Sequence, residues 1–362
     1  MQTLRLNKTT IWGRLPAFLC CAAVMFTALS AASRAHAQGA SAVDSATRQS
    51  AAQWLDRVQQ AARQQNYEGT FVYQRGEFVQ SSRITHYASK ADGEFEKLES
   101  LDGKPRTMLR HNDDLFTFVP ERKLCVVEKR QNRDAFPALL STSGDQVLTV
   151  YEPKMLGTDR VAGLDSEVIE LDPKDNFRFA YKLWADAKTG LLLRSQMLDP
   201  ANGQVLQQLA FTQVRIGGPV DKTPIVNGIR NLAGWTVVRP PLEPVDMAAQ
   251  GWSFGAAAPG FLKIREVRRP MAAREASEPP IPVDQAVFSD GLSTLSVFIE
   301  PVKNNSRKEG SGSSGATHVL VKRSGDYFIT LLGEVPQSTL QQFASAIEYK
   351  APCDASRIDC RR

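Results

Sequence analysis

The sequence predicts an α+β protein in which a helix packs against a large antiparallel sheet, followed by a smaller sheet with its own helix. Two changes in hydrophobic period predict this class. Apolar residues recur at helical spacing over residues 44–65, and then at strand spacing in short segments separated by turn residues, as far as residue 216. After a stretch rich in proline and glycine, the strand pattern returns and ends in a second helical segment.

The N-terminal segment, residues 1–37, has the features of a secretory signal peptide. Three basic residues precede an apolar stretch over residues 15–30, and Ala35-His36-Ala37 fits the small-x-small pattern of a cleavage site. We therefore expect cleavage after Ala37 and an exported mature chain that begins at Gln38. An uncleaved N-terminal anchor is the alternative, but the apolar stretch is short for a membrane span.

The net charge gives no indication of a nucleic-acid partner. The chain has 44 Lys and Arg residues against 39 Asp and Glu residues, and four of the basic residues lie in the segment 1–37. Without that segment the chain is close to neutral, so it lacks the general positive field that attracts nucleic acid or an anionic membrane.

The larger domain is predicted over residues 38–218. Its helix, over residues 44–65, presents Trp54, Leu55 and Val58 on one apolar face. A curved antiparallel sheet follows, with turn dipeptides such as Asn202-Gly203 between strands. We expect its strands over residues 70–74, 81–89, 95–101, 106–110, 115–119, 124–129, 168–171, 178–185, 191–198 and 205–216, and a short helix over 136–142.

Residues 219–250 are interrupted by proline and glycine, and we expect a linker there that leads into a second domain over residues 251–350. One continuous domain with a long loop is the alternative. The final helix should begin at Pro336, and residues 351–362 form a cysteine-containing tail. A flexible polar loop is expected over residues 303–315. The strands of this domain are predicted over residues 261–268, 286–289, 292–300, 316–323 and 327–332.

No motif in the sequence indicates catalysis, a cofactor or a metal, and we predict that the protein is not an enzyme. None of the histidines after residue 37 stands in HExxH or at metal-binding spacing from cysteine, and neither GxSxG nor SxxK occurs. A catalytic site assembled from sequence-remote residues is the alternative. Cys125 lies in an apolar strand and should be buried. Cys353 and Cys360 are close enough in sequence to form a disulfide, or they are two free thiols.

Several segments resemble the RseB/MucB family of periplasmic regulators of sigma-E. They span most of the chain after residue 37, and the order of the two predicted domains behind a signal peptide makes the resemblance specific. The similar segments are residues 66–73 (NYEGTFVY), 83–86 (RITH), 97–103 (KLESLDG), 184–194 (WADAKTGLLLR), 259–261 (PGF) and 288–297 (FSDGLSTLSV). The Ser/Gly-rich stretch at residues 310–315 and the tail at 351–362 depart from the family pattern.

The resemblance implies a fold and a function. The N-terminal domain would be an unclosed antiparallel β-barrel wrapped round helices, as in the lipoprotein carriers LolA and LolB, and the C-terminal domain a smaller antiparallel sheet with a helix. Such proteins bind the periplasmic part of a membrane-spanning anti-sigma factor of the RseA/MucA kind and shield it from the site-1 protease. Lipid, such as lipopolysaccharide, would release it. A periplasmic lipid or lipoprotein carrier of LolA-like fold is the alternative, and homo-oligomers are compatible with either function.

The candidate contacts come from composition and from the roles that the resemblance implies for the two domains. An open barrel offers an apolar groove to acyl chains, and the second domain and linker offer basic and aromatic side chains to a partner. The candidate walls of the lipid groove are Phe71, Tyr73, Ile84, Phe95, Leu98, Met108, Phe116 and Phe118. The alternative for these residues is simple core packing against the helix. The candidate partner contacts are Trp252, Arg265, Arg268 and Arg269.

Overall fold

The computed structural model describes residues 28–129, 136–137, 139–255, 258–271, 280–302 and 308–351, with side chains from residue 45 onward. The chain divides into two compact units, Met1–Thr47 and Arg48–Arg362. All contacts discussed below lie within the second unit.

Four α-helices lie in the described part of the chain: α1 (Ala28–Gln64), α2 (Gly144–Val150), α3 (Thr223–Arg230) and α4 (Gln337–Ala346). The first begins at Ala28, well before the expected start at residue 44, and so includes the end of the predicted signal peptide. None of the described helices is long and apolar enough to cross a membrane.

The larger sheet has 12 strands and is not closed, because β7 and β12 remain at its two edges. Their order across the sheet is β12-β6-β5-β4-β3-β2-β1-β11-β10-β9-β8-β7. The strands are β1 (Tyr67–Arg75), β2 (Phe78–Ser89), β3 (Gly93–Ser100), β4 (Thr107–His111), β5 (Asp114–Val119), β6 (Leu124–Lys129), β7 (Tyr151–Val161), β8 (Leu164–Pro173), β9 (Ala180–Asp186), β10 (Leu192–Leu198), β11 (Val205–Ile216) and β12 (Thr236–Val238). With its helices, this confirms the predicted α+β class and the unclosed antiparallel sheet.

Helix α1 fills the core of this sheet with the face that the sequence predicted. Leu55 and Val58 are almost completely buried among side chains of β8 and β9. Trp54 is also buried, and its indole Nε1 donates a hydrogen bond to Glu167 Oε2 at 2.9 Å. The polar tip of the tryptophan is therefore satisfied where the helix meets the sheet.

The predicted short helix over residues 136–142 is wrong, because the helix forms one turn later as α2. Ser143 caps α2 by accepting a hydrogen bond from the Gln146 amide at 3.4 Å. Pro137 lacks an amide proton and disfavours a helical residue before it, which works against a helix over the earlier segment. The sequence also gave no indication of β7, an 11-residue strand directly after α2.

The segment 219–250 contributes a helix and a strand to the larger sheet. Pro224 lies in the first turn of α3, where a missing amide proton costs nothing. Ile225 on this helix is fully buried against Leu109 and Phe116 of the sheet. Strand β12 then pairs in parallel with β6. The first half of the expected linker therefore packs as part of the N-terminal structure.

The smaller sheet has seven strands in the order β13-β15-β16-β17-β20-β19-β18, with a two-stranded sheet of β14 and β21 beside it. Helix α4 buries Leu340 and Phe343 against it. The strands are β13 (Glu243–Pro244), β14 (Trp252–Phe254), β15 (Leu262–Met271), β16 (Ile281–Ser289), β17 (Thr294–Pro301), β18 (Gly310–Ser314), β19 (Thr317–Ser324), β20 (Tyr327–Gly333) and β21 (Ile347–Tyr349).

Part of the predicted loop over residues 303–315 is a strand. Gly310–Ser314 pairs with β19 along its whole length and forms the edge strand β18. The backbone ladder does not depend on side chains, so a Gly/Ser sequence can pair when a hairpin turn holds it beside a stable strand. Residues 303–307 lie outside the described part of the chain.

Candidate functional site

A buried ion pair joins the two sheets. Arg178, just before β9, and Asp290, in the turn after β16, both have fully buried side chains, and Arg178 Nη1 lies 2.9 Å from Asp290 Oδ2. The same guanidinium also donates to Asp175 and to the Pro259 carbonyl. Because a buried charge is costly without partners, this arrangement requires both sheets to be in place.

The turn that carries Asp290 is held by its own carboxylate. Asp290 Oδ1 accepts hydrogen bonds from the amides of Leu292 and Ser293, and Oδ2 accepts one from the Tyr151 hydroxyl at 3.3 Å. Burial raises the pKa of Asp290, while Arg178 and the two backbone amides oppose that shift. The four hydrogen bonds that Asp290 accepts, from Tyr151, Arg178 and the two amides, all favour the ionised carboxylate.

Two glycines permit this close approach of the sheets. Gly291 has φ of +103°, and a Cβ atom there would lie 2.4 Å from Thr142 Cγ2. Gly260 has φ of +81°, and its Cβ atom would lie 2.4 Å from Val150 Cγ1. Only glycine combines the positive φ with the absent side chain that this contact needs.

A cavity of about 630 Å³ lies beside the ion pair. The end of α1, the segment before α2 and α2 itself form one wall, and the start of β15 and the turn after β16 form the other. It is lined by Arg63, Ser141, Thr142, Gln146, Thr149, Gly260, Leu262, Ile264, Ser289, Asp290 and Gly291. Its volume is that of an ordinary small-molecule site.

Five of the eight candidate groove residues share the face of the larger sheet that contacts α1. Ile84 pairs with Leu98, and Leu98 with Met108, so the three side chains form a row across β2, β3 and β4. Phe71 and Tyr73 lie on the same face of β1. Phe71 and Ile84 are buried with Ala61 and Ala62 of α1, whereas Tyr73 and Met108 are half-buried.

The other three candidate groove residues lie on the opposite face. Phe95, Phe116 and Phe118 are buried under α3, and the Phe118 ring packs edge-on against Trp235 at 4.9 Å. The eight residues therefore do not line one groove. Side chains alternate between faces along a strand, and the register that assigns each residue to a face was not visible in the sequence.

A polar cluster lies within the α1-facing side. Arg110 is buried and bonds Glu94 at 2.9 Å and Glu96 at 3.0 Å. His86 stacks on Tyr67 with ring centroids 4.7 Å apart, and its Nδ1 lies 2.8 Å from the Gln65 carbonyl. Burial lowers the pKa of His86, although Glu96 opposes the shift, so the neutral imidazole is favoured.

The candidate partner residues differ in how they are placed. Trp252 is 3% exposed and packs against Tyr327 and Tyr349 in the core of the smaller sheet, so it is not an exposed contact. Arg268 forms a two-pronged pair with Asp284 at 2.7 and 2.9 Å. Arg269 reaches Glu128 of the larger sheet at 3.3 Å, and Arg265 is half-buried on β15.

The remaining predictions concern the cysteines and metal binding. Cys125 is fully buried and free, as expected from its apolar strand. Cys353 and Cys360 lie outside the described residues, so the bridge between them stays a prediction. Within the described part of the chain, no group of three or more His, Cys, Asp or Glu side chains is placed to hold a metal ion.

Comparison with known protein families matches both parts of the chain. The MucB/RseB N-terminal domain matches residues 50–229, and the MucB/RseB C-terminal domain matches residues 246–348. The chain belongs to the MucB/RseB family. The resemblance seen in the sequence is thereby confirmed.

Curated members of the MucB/RseB family are similar over nearly their whole length. The sigma-E factor regulatory protein RseB of Haemophilus influenzae is 31% identical over 86% of this chain and 95% of its own length. The sigma factor AlgU regulatory protein MucB of Pseudomonas aeruginosa is 29% identical over 83% of this chain and 92% of its own. Both names describe regulatory proteins.

Solved MucB structures share the fold. The complex structure of Pseudomonas aeruginosa MucA/MucB matches with a TM-score of 0.65 and 28% identity, over 83% of this chain and 99% of that one. A crystal structure of MucB in complex with MucA(peri) matches with a TM-score of 0.63 and 27% identity, again over 83% and 99%.

Two of the segments that resemble the MucB/RseB family lie at the junction between the sheets. Residues 259–261 supply the carbonyl and the glycine that contact Arg178 and Val150, and residues 288–297 supply Asp290 and Gly291. Arg178 is not among the predicted site residues, because a lone arginine at the start of a predicted strand is ordinarily a surface residue.

Proposed function

We propose that this protein is a periplasmic negative regulator of a sigma-E-type envelope stress response, and that it binds the periplasmic segment of a MucA-type anti-sigma factor. The observation that carries the proposal is its membership of the MucB/RseB family, together with relatives solved in complex with MucA. In this function the bound segment is shielded from site-1 proteolysis, and no catalysis by this protein is needed.

Lipid is proposed as the signal that releases the anti-sigma segment from this protein. If lipid and anti-sigma segment favour different arrangements of the protein, each lowers the affinity for the other by the same factor. The domains expected over residues 38–218 and 251–350 would change their position relative to each other. The buried pair of Arg178 with Asp290 supports a small number of defined relative positions, because both side chains need their partners.

The periplasmic location depends on export, and we propose cleavage of the signal peptide after Ala37. Intact masses of the protein recovered from the periplasmic fraction and from the membrane fraction test this directly. A mature N-terminus at Gln38 is expected, whereas a full-length membrane-bound chain would contradict it.

The regulatory function is tested by titrating protein purified from the periplasm with the periplasmic segment of the same organism's MucA-type protein, with and without lipopolysaccharide. Tight binding that lipopolysaccharide weakens is the expected result. Binding of lipid without binding of the segment would overturn the regulator and favour a lipid or lipoprotein carrier.

A further inference from the structure

The cavity of about 630 Å³ at the junction of the sheets has the chemistry of a ligand site that the sequence did not indicate. We propose that it binds an amphiphile, an acyl chain with an anionic headgroup, and that Arg63 holds the headgroup while Leu262 and Ile264 contact the chain. The inference rests on the lipid part of the proposed function and names the site at which lipid acts.

Among the described residues that line the cavity, Arg63 carries the cationic side chain. It lies in the last turn of α1, and among the described residues no hydrogen bond or ion pair to its guanidinium is found. Its Nε atom is buried, and no side chain or backbone group of the described residues is its hydrogen-bond partner. A buried donor left unpaired is costly, so an acceptor supplied by a ligand would be stabilising there.

The other polar groups around the cavity already have partners. The two oxygens of Asp290 together accept four hydrogen bonds, and the Ser289 hydroxyl contacts Ser141 Oγ and the Gly291 amide. The Thr142 hydroxyl bonds Gln146. The hydrogen-bonding group that these contacts leave available to a ligand is the Arg63 guanidinium. A guanidinium donates hydrogen bonds and is positively charged, so it favours an anionic ligand over a cationic one.

The opposite wall is apolar and exposed. Leu262 is 59% exposed and Ile264 is 44% exposed, and both lie at the start of β15 beside the cavity. An acyl chain laid against these two side chains would remove their apolar surface from water.

The position of the cavity links occupancy to the arrangement of the sheets. One wall consists of α1, α2 and the segment before α2, and the other of the start of β15 and the turn after β16. The Ser141 amide joins the two walls by donating to the Gly291 carbonyl at 3.0 Å, and the pair of Arg178 with Asp290 lies beside them. A ligand that separates the walls would lengthen these contacts. Lipid could thus change the arrangement that the anti-sigma segment recognises.

The test is a calorimetric titration of protein purified from the periplasm with dodecyl phosphate, dodecyl maltoside and inorganic phosphate, each below its micellar concentration where one exists. We expect dodecyl phosphate to bind about tenfold more tightly than dodecyl maltoside, and inorganic phosphate more weakly than either, since headgroup and chain both contribute. Arg63→Gln should abolish the preference for the phosphate headgroup, and Arg63→Lys should restore part of it.

The chain contact is tested by Leu262→Ser and Ile264→Ser, which should weaken both dodecyl ligands. Both positions are exposed, so the substitutions should cost little stability. Arg48→Gln is the matched control, because Arg48 is an exposed arginine on the same helix that does not line the cavity. It should leave every titration unchanged.

Three results would overturn the site: unchanged dodecyl phosphate binding in Arg63→Gln, equal binding of inorganic phosphate and dodecyl phosphate, or no amphiphile binding at all. Failure of the regulator is seen separately, as absent binding of the anti-sigma segment in the unmodified protein without lipid. A normal segment titration with no amphiphile binding therefore rejects this site alone.

Discussion

Arg178 and Asp290 form an ion pair across the two sheets, with both side chains fully buried and Nη1 and Oδ2 2.9 Å apart. Arg178 is also bound by Asp175 and by the Pro259 carbonyl, and Asp290 by two backbone amides. The pair is therefore the centre of a satisfied polar network. We infer that the pair fixes how the sheets meet, since both side chains are satisfied only when the two sheets are in place.

Removing one member of this pair should destabilise the protein strongly. Asp290→Asn and Arg178→Met are each expected to lower the free energy of unfolding by about 3–5 kcal/mol, because each leaves an uncompensated buried group. The double variant should lose less stability than the sum of the two single losses. Urea unfolding measures the free energy of unfolding of both single variants and of the double variant. Arg215→Met, which breaks an exposed pair with Glu68 (side chains 52% and 44% exposed), is the control and should cost at most about 1 kcal/mol. Equal losses at both pairs would contradict the buried network.

The close approach at Gly291 predicts a clash with Thr142. Gly291→Ala should lower the free energy of unfolding by about 2–4 kcal/mol, because it adds both a steric overlap and strain at φ of +103°. Gly203→Ala is the matched control: φ is +71° and nothing lies within 4 Å, so only the backbone strain of about 1 kcal/mol remains. Thr142→Ser should recover part of the loss in Gly291→Ala. No recovery would mean that overlap with Thr142 does not cause the loss of stability in Gly291→Ala.

The burial of Ile225 predicts that α3 stabilises the larger sheet. Ile225→Ala should cost about 2–5 kcal/mol in thermal or urea unfolding, since it opens a cavity against Leu109 and Phe116. Val226→Ala, at the neighbouring half-buried position, should cost clearly less. Similar small effects at both positions would indicate that residues 219–250 are a linker that contributes little to the fold.

The buried imidazole of His86 predicts acid sensitivity. Its pKa is lowered by burial, so the unfolded chain binds a proton more readily, and stability present above the unfolded value of about 6.5 is lost as pH falls towards the folded value. We expect stability to fall between pH 6.5 and 5 by at most about 1.4 kcal/mol per pH unit.

His86→Phe keeps a ring stacked on Tyr67 and should flatten this pH dependence, as read from urea midpoints at each pH. His111→Phe, a change on the opposite face where His111 stacks on Phe95, is the comparison. A slope that persists unchanged in His86→Phe would assign the pH dependence to other groups, with Glu94, Glu96 and Arg110 the nearest.

The sequence by itself determined the class, the helical face of α1 and most of the strands, because local periodicity reports which residues are buried. It also determined the family, since segments such as 259–261 and 288–297 are recognisable without a structure. Edge strands and connecting helices were harder to predict from the sequence than the central strands. Strand β7, helix α3 and strand β18 form because neighbouring strands and helices support them, and their own patterns are weak.

Only the tertiary structure decided which side chains meet. The register of β1 to β5 separates Phe95, Phe116 and Phe118 from Phe71 and Ile84, although all five are apolar residues in predicted strands. The packing of the sheets brings Arg178 to Asp290 across 112 residues. It also places Arg63, whose buried Nε has no hydrogen-bond partner among the described residues, beside exposed Leu262. Periodicity reports whether a side chain is buried. It carries no information on which remote side chain it is buried against, and the chemistry of a site depends on that pairing.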